Sequence, residues 1–339
     1  MILRREADKA NRPATAALKR WFMNSSYSLS GKRVWVAGHR GMVGSAIVRR
    51  LAREACDVLT IARDRVDLTR QVETEEWMAA ARPQAIFLAA GRVGGIHAND
   101  SYPADFIYDN LAIEANVIHA AHKIGVEKLL FLGSSCIYPR EADQPMVESA
   151  LLTGPLEPTN EWYAIAKIAG IKLCQAYRRQ HQRDFVSAMP TNLYGPGDNF
   201  HPQNSHVPAA LLRRFHEAKL AGAAEVAVWG TGRPRREFMY VEDAADACVH
   251  LMQHYSGEAH VNVGTGSDVS IAEFAGLVRA TVGFEGRIAF DASRPDGTPR
   301  KVMEVSALKS LGWAAPTSLE AGLRLYYQWF LANKAAIRQ

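Results

Sequence analysis

The apolar run Val34-Trp35-Val36-Ala37 leads straight into Gly38-His39-Arg40-Gly41-Met42-Val43-Gly44, and Val43, Ile47, Val48 and Leu51 then recur at helical spacing. A short, wholly apolar run suits a strand buried on both faces of a parallel sheet. Glycines at 38, 41 and 44 permit a tight turn, close backbone approach to a ligand, and close packing of helix on strand. The order strand, glycine turn, helix recurs. Further apolar runs stand at 58–62, 85–90, 128–133 and 185–189, separated by helical patterns, the longest from about Pro103 to Lys123 with Ile107, Leu111, Ala115, Ile118 and Ala121 as its stripe. Such alternation predicts a doubly wound parallel α/β sheet. After Gly195 the texture changes to a polar loop, a basic helix over 211–219 and a Trp-Gly turn at 228–232. The segment 238–263 reads strand, helix, strand and is expected to return to the sheet.

A helix N-terminus that follows a glycine turn is an anion site, so Gly38, Arg40, Gly41, Met42, Val43 and Gly44 are expected to cradle a dinucleotide pyrophosphate. The second strand ends at Arg63-Asp64-Arg65, where an arginine holds a 2′-phosphate or a carboxylate a ribose hydroxyl. Arg63 and Arg40 favour NADP(H); Asp64 keeps NAD open. Asp67 and Leu68 fall where an adenine edge is contacted. The turn Ala89-Ala90-Gly91 and the strand end Pro190-Thr191-Asn192-Leu193 lie at carboxyl ends of strands, where open sheets of this kind bind ligands.

Composition narrows the field. The net charge of +5 is concentrated at the start, where residues 1–33 carry six surplus positive charges, so the rest is near neutral. Lys and Arg are scattered there without interleaved aromatics, against a nucleic-acid surface. Cys56, Cys136, Cys174 and Cys248 are far apart, which argues against a zinc site and for a reducing, cytoplasmic compartment. No run of 18 apolar residues exists, so no membrane partner is expected. Residues 1–30 read as a flexible extension, although Ala16 to Phe22 has the pattern of a short basic helix.

Tyr163 and Lys167 stand four apart in a helical run, which places phenol and ammonium on one face. A phenol titrates near pH 10, and a nearby cation lowers that value, making a general acid/base. Taken alone, the pair more often means an amphipathic tyrosine and a lysine reaching for solvent. Ser134, just past the fourth strand, is placed to hydrogen-bond a substrate carbonyl; Ser135 reads equally well as a turn residue. With a nicotinamide cofactor, the three residues predict hydride transfer at a carbon bearing oxygen.

G-x-x-G-x-x-G, a serine, and Y-x-x-x-K together resemble the extended short-chain dehydrogenase/reductases. Longer blocks, among them G-H-R-G-M-V-G-S-A-I, L-G-S-S-C-I-Y-P, P-T-N-L-Y-G-P and D-G-T-P-R-K, resemble the branch of that family acting on GDP-4-keto-6-deoxy-D-mannose as 3,5-epimerase and 4-reductase. The resemblance runs from Gly31 to the C-terminus. It implies a Rossmann-type sheet over 31–195 plus about 238–265, and a smaller C-terminal α/β substrate domain over 196–237 plus about 266–335. It also implies that Cys136 and His206 act as base and acid in epimerisation, with Ser134, Tyr163 and Lys167 serving reduction and His206 also touching the cofactor. For the GDP-sugar it implies Asn192 beside the diphosphate, Arg214 and Arg236 as its ionic partners, Trp229 near the base, and Asp296 and Lys301 on nucleotide or sugar. Arg213 reads as a solvated charge, and His201 as a structural or surface residue. The family's helix pairing implies a homodimer through the Pro103 and Tyr163 helices.

Two other readings remain open on the residues. A 4,6-dehydratase or 4-epimerase with tightly held NAD shares the architecture, but dehydratases carry an acid pair where this chain has Ser135-Cys136. A non-catalytic dinucleotide sensor is disfavoured because Tyr163 and Lys167 are both present.

Overall fold

The computed structural model describes residues 26–334 apart from 203, 204 and 295. Six strands form one parallel sheet: β1 (Arg33–Ala37), β2 (Asp57–Leu59), β3 (Ala85–Leu88), β4 (Lys128–Leu132), β5 (Asp184–Pro190) and β6 (Val261–Val263). Their spatial order is β2-β1-β3-β4-β5-β6. The chain leaves β1 for one edge, then crosses back to β3, so the order reverses between β1 and β3. That is where doubly wound sheets open a ligand crevice. The register aligns Ala37 with Leu88, Leu88 with Phe131, and Leu132 with Ala188, so the turns after these strands stand side by side.

Helices cover both faces. On one, α1 (Met42–Leu51) packs with α6 (Val241–His254), and Ile47, Leu51, Val249 and Leu251 join Val34 and Val36 in the core. On the other, α2 (Gln71–Ala81), α3 (Pro103–Lys123) and α4 (Glu161–His181) bury Met78, Ile118 and Ile171 against Trp35, Leu129 and Phe131. A second core gathers Phe215 from α5 (Val207–Leu220), Phe274 and Val278 from α7 (Ile271–Val282), and Leu323 and Tyr326 from α8 (Leu319–Ala332), beside a parallel ribbon of Glu225–Trp229 and Arg287–Asp291. Local chemistry fixes α7: Ser270 and Glu273 form a capping box, and Gly283 ends the helix at φ +70°.

Several expectations need adjusting. The fold starts earlier than residue 31: Leu29 is buried in the sheet's core, and the Tyr27 N–H donates to the Gln253 carbonyl at 2.7 Å. Residues 1–25, including the expected basic helix, lie outside the described part. The second strand pairs only over 57–59, because at the sheet edge its single neighbour is Arg33–Trp35. From the segment 238–263 only β6 joins the main sheet; Phe238–Tyr240 pairs instead with Asn192–Tyr194. Met303, Val305, Leu308 and Trp313 pack on the sheet's two faces, although they lie inside the stretch expected for the substrate domain. In α3 the buried face carries Phe106, Asn110, Glu114, Val117 and Ala121, while Leu111 and Ala115 of the expected stripe face outward.

Candidate active site

The glycine turn is shaped by close approach. Gly38 has φ +87°, and a Cβ there would stand 2.7 Å from the Ala90 nitrogen; one on Gly44 would meet the Gly38 carbonyl oxygen at 2.2 Å. Gly41 caps α1 without a side-chain hydrogen bond, and the helix's first turn holds no acidic residue. The α1 amides therefore face the crevice with no internal anion, which fits a dinucleotide diphosphate. Arg40 lies 3.6 Å from Asp64, and Arg63 lies 3.8 Å from Asp67. Asp64 thus points to an arginine, which weakens it as a ribose ligand, and both exposed guanidinium groups can exchange these weak surface pairs for a 2′-phosphate. Burial alone would raise the Asp67 carboxyl, but hydrogen bonds from Thr69 and the charges of Arg63 and Arg70 hold it below its ordinary value. Its neighbour Leu68 accepts at its carbonyl from the Asn116 amide at 2.9 Å.

The reactive side chains converge where β4 ends. Ser134 is extended and opens a single 3-10 turn, Ser135–Ile137, that carries Cys136. Opposite stands Tyr163 on α4, edge-on to Phe106 with ring centroids 6.3 Å apart. The Ser134 hydroxyl lies close enough to both the Tyr163 phenol and the Cys136 thiol to draw their pKa values down by hydrogen bonding. Burial wins in both cases. It pushes Tyr163 well above an ordinary phenol, helped by Cys136 and Glu114. It also raises the Cys136 thiol, against the pull of Lys301, Ser134 and Lys167.

Lys167 departs from the sequence expectation. Its ammonium sits 5.8 Å from the centre of the Tyr163 ring and donates at 2.9 Å to Glu114 of α3, a carboxylate that sequence reasoning missed. Both members of the pair are buried. The lysine's charge is largely spent on Glu114, so Tyr163 is not acidified in the way that i, i+4 spacing alone suggests. Gly91 completes the pocket: a Cβ there would stand 2.7 Å from the Asn110 amide oxygen and 3.5 Å from the Lys167 nitrogen.

A second group of residues lies on the smaller core. Arg214 and Arg294 stack on Trp229, 5.0 and 5.1 Å from its ring. Asp296 accepts from both the Thr231 N–H (2.9 Å) and hydroxyl (2.6 Å), closing its own loop onto the Trp229 turn. Burial lowers the Arg236 guanidinium, while Asp296 acts the other way. Lys301, paired in register with Arg236, is lowered by burial, and Cys136 opposes that shift. Asn192 donates to the Glu237 carbonyl at 2.8 Å, Leu193 pairs with Met239, and Pro190 ends β5 opposite Val263. His206 precedes α5. It opens to solvent on one side, and the protein behind it lowers the imidazole below the usual histidine value. Arg213, expected as a solvated charge, is half-buried: it pairs with Glu217 at 2.6 Å and donates to the Phe200 carbonyl at 2.8 Å.

Residues 34–264 match the NAD dependent epimerase/dehydratase family. The chain belongs to that family. Its sheet and helices are also those of solved members. It is 60% identical to GDP-L-fucose synthase 1 of Arabidopsis thaliana over 91% of this chain and 96% of that protein. To the GDP-L-fucose synthase of Escherichia coli strain K12 it is 55% identical, over 91% of this chain and the whole of the other. The crystal structure of a GDP-L-fucose synthetase from Naegleria fowleri bound to NADP superposes with a TM-score of 0.86 at 25% identity, covering 93% of this chain and 99% of that one. Among the described residues no helix is long and apolar enough to cross a membrane, and no His, Cys, Asp and Glu cluster suits a metal ion.

Proposed function

We propose that this protein converts GDP-4-keto-6-deoxy-D-mannose to GDP-L-fucose, by epimerisation at C3 and C5 followed by NADPH-dependent reduction of the C4 ketone. The observation that carries the reading is the burial of Cys136 and Tyr163 in one cluster, with the Ser134 hydroxyl near both. One hydroxyl thereby links a carbonyl-directed proton donor to a thiol, so both steps can use the same ketone. Hydrogens on C3 and C5 are acidified by that ketone. Donors at its oxygen, Tyr163 and Ser134, stabilise the enolate left when either proton departs. Cys136 and His206 are the proposed base and acid, removing a proton from one face and returning one to the other. Substrate must assist the thiol, since burial disfavours the thiolate.

NADPH, when bound by the Gly38–Gly44 turn with Arg40 and Arg63 at its 2′-phosphate, supplies the hydride. Tyr163 gives its proton to the C4 oxygen, and its raised pKa suits that task because the phenol keeps its proton at neutral pH. Asn192, Arg214, Trp229, Arg236, Asp296 and Lys301 are proposed to hold the GDP-sugar, the arginines at its diphosphate. The proposal includes a homodimer through α3 and α4, a cofactor domain over 31–195 plus about 238–265 with a substrate domain over 196–237 plus about 266–335, and a reducing cytoplasmic location suited to the four free cysteines.

The test is NADPH oxidation with GDP-4-keto-6-deoxy-D-mannose, with product configuration read by proton NMR. Wild type is expected to give GDP-L-fucose, and Cys136→Ser to reduce slowly without inversion at C3 or C5. Absence of NADPH oxidation by the wild type sinks the reading, and a reduced product of unchanged configuration removes the epimerase half.

A further inference from the structure

The Lys167 pocket holds one group that the proposed reaction does not use. Glu114 lies in the middle of α3, 2% exposed, 53 residues from its partner in sequence. One of its oxygens accepts from the Lys167 ammonium at 2.9 Å; the other, Oε2, is buried and makes no hydrogen bond. The neighbours close in tightly. A Cβ on Gly170 would lie 2.7 Å from that second oxygen and 2.4 Å from the Phe131 ring, and the Lys167 ammonium stands 4.8 Å above the same ring. A carboxylate in so apolar a place is costly unless paired, and one with an orphaned oxygen costs more. An apolar side chain here would leave the Lys167 ammonium buried and unpaired, and a glutamine would fill the space and keep a hydrogen-bond partner for it without an anion. Its charge is what sets it apart.

Resting on the proposed reduction, we infer that Glu114 is a positioning residue for that step: its carboxylate clamps Lys167 and offsets its positive charge, so that Tyr163 keeps the proton that ketone reduction requires. A bare ammonium beside Tyr163 favours phenolate, the form that serves alcohol oxidation. With Glu114 opposite, the two charges largely cancel at the phenol, and the site is biased toward giving a proton. The charged and titratable groups around the pair are few. From α4 they are Lys167, Tyr163 and Cys174; from the turn after β4, Cys136 and Ser134 reach Tyr163; α3 and the Gly91 turn contribute the uncharged Asn110 amide. The Glu114 anion itself raises Tyr163, and burial raises Glu114 while Lys167 restrains it.

The test compares Glu114→Gln and Glu114→Asp with wild type in single turnovers of GDP-4-keto-6-deoxy-D-mannose from pH 6 to 10. Deuterated NADPH is used to verify that hydride transfer is being read. Glutamine keeps a partner for Lys167 but loses the charge. The expected result is a fall in rate toward pH 10 that begins at lower pH than in wild type, while the rate at pH 6.5 stays within about threefold. Aspartate keeps the charge and is expected to keep the wild-type position of the alkaline limb, at a lower rate. Superimposable limbs for wild type and a folded Gln variant, or equal displacement in Gln and Asp variants, overturn the inference. Should the Gln variant not fold, a displaced limb in the Asp variant overturns it as well. Wild-type turnover is the internal control: if it fails, the reaction assignment fails, and if it succeeds with unmoved limbs, only the role of Glu114 does.

Discussion

Lys301 carries an ammonium with no hydrogen bond or ion pair among the described residues, and its field falls on the Cys136 thiol. Sequence resemblance places this lysine on the substrate; the electrostatics give it a second task. Burial raises the thiol and Lys301 pulls it back, so removing the cation leaves burial less opposed. In Lys301→Gln the thiolate becomes scarcer at every pH below the thiol's titration. Exchange of the C3 and C5 hydrogens with D2O, followed by NMR at pH 7.5, is expected to slow about tenfold, with its rise displaced toward higher pH. An exchange profile that keeps its position on the pH axis refutes the coupling. Legibility differs sharply among these residues. Tyr163 and Lys167 could be paired on paper because four residues of helix join them. Glu114 could not, for its partner lies on another helix and a glutamate in a long helix ordinarily reads as solvated. The one available signal was its position three residues after Leu111 and four before Ile118, inside the supposed apolar stripe.

At the scale of elements, strands were easiest to recognise where burial is complete. β1, β3 and β4 contain almost nothing but apolar residues and lie at the sheet's centre. β2, at the edge, has less burial to declare it, and its end could not be located from pattern alone. The helices α3 and α4 show the reverse problem: each has apolar residues on more than one face, so pattern could not say which face meets the sheet. They pack on one another, yet Tyr108, Leu111, Trp162 and Ile165 remain exposed, Tyr108 at 68% and Trp162 at 43%. A shared apolar face on two adjacent helices is the material of a symmetric interface, where a self-complementary patch serves both partners. If the proposed homodimer uses it, light scattering should give twice the 37.4 kDa chain mass for wild type. Leu111→Asp combined with Trp162→Glu should give a monomer, since each change buries an unpaired charge in the interface. A variant that stays dimeric, or a monomeric wild type, rules this face out.

Across the whole molecule, the two cores are joined by buried polar residues that no local pattern announces. Glu237, fully buried, accepts from the Gly266 and Met303 amides at 2.7 and 2.8 Å, tying the turn after β6 to the segment beyond Lys301. Asp198 does the same for the loop that leads toward His206. It accepts from the Tyr326 hydroxyl of α8 at 2.9 Å and from the Asn199 amide at 2.8 Å. Burial lifts its pKa from 3.8 to about 7. The folded protein therefore holds a proton here that the unfolded chain has already released above pH 4. Where the folded state binds more protons, stability falls as pH rises. The contribution of Asp198 is thus complete below about pH 4, declines between pH 4 and 7, and is gone above. Over that window the decline amounts to at most about 4 kcal/mol. Carboxylates held low by partners, such as Asp268 between Arg235 and Arg300, slope the other way, so wild type alone hides the effect. The difference between Asp198→Asn and wild type exposes it. Asparagine keeps the Asn199 bond at its oxygen, turns its NH2 to the Tyr326 oxygen as donor, and cannot ionise. Urea unfolding at pH 5 and pH 8 should show the variant gaining on wild type by about 2.5 kcal/mol as pH rises. A variant whose stability stays parallel to wild type between those pH values shows instead that Asp198 is ionised in the fold and that the loop is held by a charged anchor.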